Sequence, residues 1–305
     1  MALKYLIVFL NITIFYSYGC SIKKIAINQA VSFMEEGRKT FETEGDLELA
    51  EVALGGNLKL LESFSIHSPH NKKLNLFLAE GYSVYTLAFV EDKFEEYLDT
   101  DPVLAGIHRK RAIYLYTRAR DYAAREFLPV LEINSPNDIS AVLLTEKLKY
   151  CKKSDVPALF WFAFSWGAAI NLDRDNLNAL SALGYVAQIM ERVRELHPDY
   201  YYGGASLFEG IYYGARPPML GGDPERSMLG FNRAFAATDK KMLMTYYYLA
   251  STYCVQNQDH KCFKDNLNYV IEMPADIFPE QILANEVAKK KALRLLAKES
   301  DLFLE

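Results

Sequence analysis

Cysteine and histidine are scarce in this 305-residue chain, an excess of positive charge is missing, and each lack removes a class of protein. Lys and Arg number 34 against 39 Asp and Glu, a net charge of −5. Nucleic-acid binders neutralise phosphates with clustered cations, so this balance argues against a nucleic-acid partner. Four cysteines, one of them at the end of a leader segment, do not make a disulfide scaffold. Cys254 and Cys262 can meet across a helix-hairpin turn in an oxidising compartment, or serve as small buried apolar residues. Of five histidines only His67 and His70 are close, and they lack the acidic or thiol partners of a zinc site. Walker loops, dinucleotide-binding glycine patterns and nucleophile elbows are absent too. The expectation is a protein without catalysis, metal or cofactor. β-branched alternation is also nearly missing, which removes the sheet classes and leaves an all-α chain.

What is present begins with an export signal. One lysine, Lys4, precedes an apolar run from Tyr5 to Phe15, then Ser17-Tyr18-Gly19-Cys20. This is the layout of a secretory leader, and small residues before a cysteine read as a lipobox. A bilayer span needs roughly 20 apolar residues, and Asn11 interrupts this run. We therefore read 1–19 as a signal peptide, Cys20 as the lipidated residue, 20–26 as a tether and 27–305 as a helical repeat domain. The alternatives are an uncleaved anchor or an ordinary signal peptide.

The remaining chain is a series of helical patterns cut by proline-containing breaks at Pro69, Pro102, Pro136, Pro157, Pro198, Pro217 to Pro224, and Pro274. Asn137 or Asp138, and Asp155, read as caps. Small and large residues recur at tetratricopeptide offsets, where small side chains let paired helices touch. Trp166, Ala169 and Ile170 with Ala182, Val186 and Ile189 form one unit. Tyr247, Ala250 and Cys254 with Phe263, Leu267 and Val270 form another. Leu207, Gly210 and Gly214 resume at Ser227, Phe231 and Ala234 after an insert. Weaker units start at Ala30-Phe33 and at Leu78-Tyr82. The fold class expected is an all-α, tetratricopeptide-like solenoid with a C-terminal capping helix.

The segment from Ala158 to Trp166 is apolar all round, so it is buried, either wholly in core or with one side on an internal cavity. Trp161 and Trp166 are thereby candidates for a cavity wall. The helix from Pro279 through Lys298, with Lys289-Lys290-Lys291 and Arg294, reads as a cap with a solvated face. Glu35-Glu36 and Glu95-Glu96 read as solvated faces as well. Tyr200-Tyr201-Tyr202-Gly203-Gly204 and Tyr212-Tyr213, followed by Arg216, form the densest unusual stretch. Tyrosines offer apolar walls with polar tips, and Arg216 can clamp a carboxylate or pair with a neighbouring acid. Asp223 is placed to cap a helix opening at Pro224.

Three segments in order, Tyr201-Tyr202-Gly203-Gly204, Leu220-Gly221-Gly222-Asp223-Pro224 and Leu283-Ala284-Asn285-Glu286-Val287-Ala288-Lys289, resemble the T component (TatT) of tripartite ATP-independent periplasmic (TRAP) transporters. The resemblance implies a helical lipoprotein with an internal pore or cavity. It also implies association with a substrate-binding P component, and a homotrimer. Ligand or partner contacts are then expected at Tyr201, Tyr202, Tyr212, Tyr213, Arg216, Trp161, Trp166, Asn285 and Glu286, with lipid attachment at Cys20 in the cell envelope.

Overall fold

A computed structural model describes residues 24–303, and among them every regular element is helical. The lipidation residue Cys20 and the leader lie outside the described residues. In chain order the elements are α1 (24–36), α2 (Lys39–Glu42), α3 (Leu47–His67), α4 (Lys72–Tyr85), α5 (Glu91–Tyr97), α6 (Pro102–Leu131), α7 (Ala141–Lys147) and α8 (Val156–Leu172). They continue as α9 (Leu177–Ser181), α10 (Leu183–Leu196), α11 (Tyr200–Gly214), α12 (Pro224–Ala237) and α13 (Leu243–Tyr248). The last three are α14 (His260–Glu272), α15 (Ile282–Leu296) and α16 (Glu299–Leu302). A π-helical segment, Thr86–Val90, joins α4 to α5, and another, Leu249–Cys254, follows α13.

Local chemistry sets these boundaries. Asp46, Asn71, Asp101, Asp223 and Asp259 each accept a backbone N–H from the first turn of the helix they precede. That satisfies donors the helix cannot use itself. Pro102 and Pro224 open their helices, where a missing N–H costs nothing. Two caps differ from the sequence reading. Ser140, not Asn137 or Asp138, caps α7. Asp155 precedes α8 but turns its carboxylate back to the Lys152 N–H at 2.8 Å.

Helices adjacent in sequence pack on one another: α3 on α4, α4 on α6, α6 on α8, α8 on α10, α10 on α11 and α11 on α12. The positions read as helix contacts are buried, including Ala182, Val186, Ile189, Ala250, Phe263 and Leu267. The α11–α12 crossing is the closest. A Cβ on Gly230 would stand 2.4 Å from the Gly210 nitrogen, and one on Gly214 would stand 2.5 Å from Ser227 Oγ. Ser227 also donates to the Gly210 carbonyl at 2.8 Å. Cys254 and Cys262 form a disulfide across the turn into α14, and Cys254 is at the same time fully buried.

Two apolar cores result. One gathers around α4, α6, α8 and α10; the other gathers around α12 to α15. Helix α15 returns from the second core to pack on α2 and α3. Its basic face is only partly the solvated one of the sequence reading: Lys290 is exposed, whereas Lys291 is buried and Arg294 largely so. Lys291 is 1% exposed and lies 2.6 Å from Glu95, while Lys290 and Arg294 both reach Asp92 at 2.7 Å. Glu95 is thus also a paired group rather than a solvated one, whereas Glu35 and Glu36 are exposed as read. A run of cations in sequence looks like surface until the fold supplies the opposite charges.

Candidate functional site

Between the two cores lies a cavity of about 690 Å³. Phe160, Trp161 and Phe164 of α8 form one wall, so the all-apolar helix serves both core and cavity. Leu207, Phe208 and Ile211 of α11 form a second wall, and Leu283 and Val287 of α15 a third. The N-terminal segment contributes Phe33, Met34 and Phe41 as a roof. Phe33 is 77% exposed despite its place in a predicted hairpin contact, because it stands at the cavity edge.

The run from α4 through the first π-helical segment into α5 lines the cavity with Glu80, Val84, Leu87, Ala88 and Glu91. Spacings of three and four keep them on one helical face. The two carboxyl groups are three turns apart, about 16 Å at the usual rise. Both are enclosed. Arg38 Nη1 lies 3.1 Å from each Glu80 oxygen, and Arg38 Nε lies 3.3 Å from Glu42. Burial pushes the Glu80 carboxyl up to about 7, against the pull of Arg38. Burial likewise raises Glu91, which accepts the Tyr116 hydroxyl.

The tyrosine-rich turn closes the Glu80 end. Tyr201, Tyr202 and Gly203 all have left-handed backbones, with φ of 47°, 58° and 74°. For the two tyrosines this costs roughly 1–2 kcal/mol each. Such strain persists where the surroundings over-determine it. Tyr201 is held by Trp161, with ring centroids 4.6 Å apart. The Tyr202 hydroxyl accepts from Gln281 Nε2 at 2.8 Å. Gly203 is required because a Cβ there would meet Ala237 Cβ at 2.8 Å, and Gly204 because one would meet Phe160 at 2.7 Å.

Five of the sequence candidates meet at this cavity: Trp161, Tyr201, Tyr202, Tyr212 and Arg216. Arg216 finds no acid among the described residues. It donates through Nε and Nη2 to the Tyr212 carbonyl at 3.0 and 2.8 Å, and its guanidinium covers the Tyr212 ring at 3.7 Å. The other four lie off the wall. Trp166 packs against Phe162 and Tyr185, and Tyr213 sits under Arg226 at 4.1 Å. Asn285 is fully buried and staples the start of α13. It accepts from the Leu243 N–H at 2.8 Å and donates to the carbonyls of Lys241 and Ala275. Glu286 is half-buried on α15. In the insert, Gly221 uses its positive φ of 83°, while Gly222 is needed for space, since a Cβ would stand 1.8 Å from the Arg216 carbonyl oxygen.

Sequence reasoning missed Arg38, Glu80, Glu91, Tyr116 and Arg174, all on the cavity wall. For Glu80 and Glu91 the signal was available, as carboxylates eleven positions apart that frame an apolar stretch. Among the described residues no group of three or more His, Cys, Asp or Glu can hold a metal ion. No described helix is long and apolar enough to cross a membrane.

A family model described as TRAP transporter T-component matches residues 43–303. An uncharacterized protein of Treponema pallidum (strain Nichols) is 26% identical over 311 residues, covering 94% of each chain. The chain belongs to the TRAP transporter T-component family. As a transporter component it is not an enzyme.

Proposed function

From that membership we propose that the chain is a periplasm-facing lipoprotein accessory of a TRAP-type transporter. It docks the solute-binding P component and holds a small hydrophobic or carboxylated ligand during relay. The finer architecture belongs to the same reading. The helix pairs are tetratricopeptide-type hairpins, residues 1–19 are a cleaved leader, Cys20 carries lipid, and 20–26 tether the domain 27–305. Assembly as a homotrimer is part of it.

One observation carries the ligand role: an apolar, aromatic-walled cavity of about 690 Å³ lies between the cores. That is within the range of small-molecule sites, and a few polar groups at its ends are what such sites use for orientation. Trp161, Tyr201, Tyr202, Tyr212 and Arg216 are its proposed contacts. The rival reading is a protein-interaction scaffold with no small ligand, for which a filled core would be the natural design.

Native mass spectrometry of protein purified from its own envelope tests the proposal. The expected spectrum contains an acylated N-terminal cysteine, a P-component complex and a ligand adduct lost on mild activation. A complex with the P component that never carries a small-molecule adduct supports the scaffold. Protein without acyl mass rules out the lipid anchor.

A further inference from the structure

We propose that Arg174 and Arg216 form a head-group site at one end of the cavity, taking the carboxylate of a single-chain amphiphile whose hydrocarbon tail lies along the channel toward Trp161. This rests on the cavity being a ligand site, and it adds the ligand's class and direction.

Side-chain contacts run α8 alongside α11, and the arginine that follows each helix lines the same cavity. A Cβ on Gly204 would touch Phe160, and one on Gly167 would come within 3.8 Å of Phe208. A register that carries residue 160 onto 204 and 167 onto 208 carries 174 toward Tyr212, the residue whose ring and carbonyl hold Arg216. Each arginine stands two positions beyond its helix, after Leu172 and Gly214, and both line the cavity. Neither has a carboxylate partner among the described residues, although most other arginines of the chain do. Each is instead pinned by the carbonyl three or four residues back. Arg174 Nε donates to the Asn171 carbonyl at 3.2 Å, and Arg216 Nε to that of Tyr212 at 3.0 Å. Both guanidinium groups are thereby oriented, with Nη1 of each left without a hydrogen bond to the described residues. Two guanidinium groups lining one cavity, each with Nη1 free, suit a carboxylate.

The interior fixes the direction of the tail. Beyond the rim the wall is apolar along α8 and α11, and the other ionisable groups on it include Glu80 and Glu91. An anion moving inward leaves two unpaired cations and approaches two acids. Glu80 and Glu42 already hold Arg38, so that cation is not available to it. The head therefore stays at the rim and the tail fills the channel.

The test uses the intrinsic fluorescence of the two tryptophans, Trp161 on the wall and Trp166 behind it, with dodecanoate, dodecan-1-ol and dodecyltrimethylammonium as probes. Dodecanoate is expected to bind at least about tenfold more tightly than the alcohol, with the ammonium weakest. The double variant R174Q/R216Q, checked for unchanged melting, binds dodecanoate no better than the alcohol and keeps its affinity for the alcohol. R174K/R216K, which retains the charge, keeps part of the preference. Equal binding of acid and alcohol by the unaltered protein overturns the head-group site while leaving the cavity a ligand site. So does a preference that survives in R174Q/R216Q. If that variant binds dodecanoate normally but loses the P component, the rim is a protein contact and the proposal is overturned. If none of the three probes binds, the ligand reading of the cavity fails, and this inference with it.

Discussion

Arg294 Nη2 lies 2.7 Å from Asp92 Oδ1, joining positions 202 residues apart in the chain. Lys290 holds the second Asp92 oxygen, also at 2.7 Å, and the aspartate side chain is 3% exposed. Burial alone would raise its carboxyl, yet bonds from Lys290 and Arg294 keep it below the ordinary value. A depressed acid gives stability that is present above the unfolded pKa, near 4, and is lost as pH falls through the folded one. Asp92→Asn should cost about 3 kcal/mol at neutral pH, since it leaves the largely buried Arg294, and the more exposed Lys290, short of charge. Urea denaturation should show that gap narrowing under acid. A neutral-pH loss below 1 kcal/mol would mean that the lock is dispensable.

Glu80 has the opposite sign. Its carboxyl is raised to about 7, so between its unfolded value and that point the folded protein binds the extra proton. Stability attached to this group is greatest under mild acid and falls as pH rises through the window. Roughly 2–4 kcal/mol is involved for a shift of this size. Glu80→Gln should flatten the decline between pH 5 and 8. An unchanged slope would assign the pH dependence to other groups.

The glycines of α11 and α12 give a packing test with an internal control. Gly230→Ala puts a methyl into backbone at 2.4 Å and should cost about 1–3 kcal/mol or more. Gly184→Ala in α10 meets nothing within 4 Å and should gain about 0.5–1 kcal/mol from helix propensity. Similar melting shifts for both would show that the crossing is looser than described.

The Cys254–Cys262 bond closes a short loop, with a sequence separation of 8. In the chain-entropy account its removal costs about 2–3 kcal/mol. Cys254→Ser with Cys262→Ser should melt lower than the parent, and alkylation of the unfolded parent without reductant should label Cys151 but neither Cys254 nor Cys262. Full labelling of the untreated native protein at both positions would show them to be thiols.

Much of the fold was legible because its signals are local. Most prolines and the caps mark helix ends, Pro129 inside α6 excepted, and the small positions Ala182, Gly210 and Ala250 recur at fixed offsets. The cavity was half legible: the Ala158–Trp166 helix says buried without saying against what. Lys291 and Arg294 were misread because their partners, Asp92 and Glu95, lie in another helix far back in the chain. A shorter separation, 42 positions, likewise hid the pairing of Glu80 with Arg38. The left-handed tyrosines could not be read at all, since the contacts that hold Tyr201 and Tyr202, Trp161 and Gln281 among them, come from distant parts of the chain.

A void between two cores also bears on how the molecule comes apart. Wall residues such as Leu58 and Trp161 belong to one core, and Met242 and Val287 to the other, so across the channel they face space instead of each other. Without ligand the protein should melt as two bodies joined by a shell of helices and an ionic clasp, and calorimetry should resolve two overlapping transitions. A tail lying in the channel touches both walls and acts as mortar. Loading should merge the transitions into a single sharper one, at a temperature that climbs with ligand concentration. Cargo would then be a structural member of its carrier, and delivery would leave the carrier softer than before.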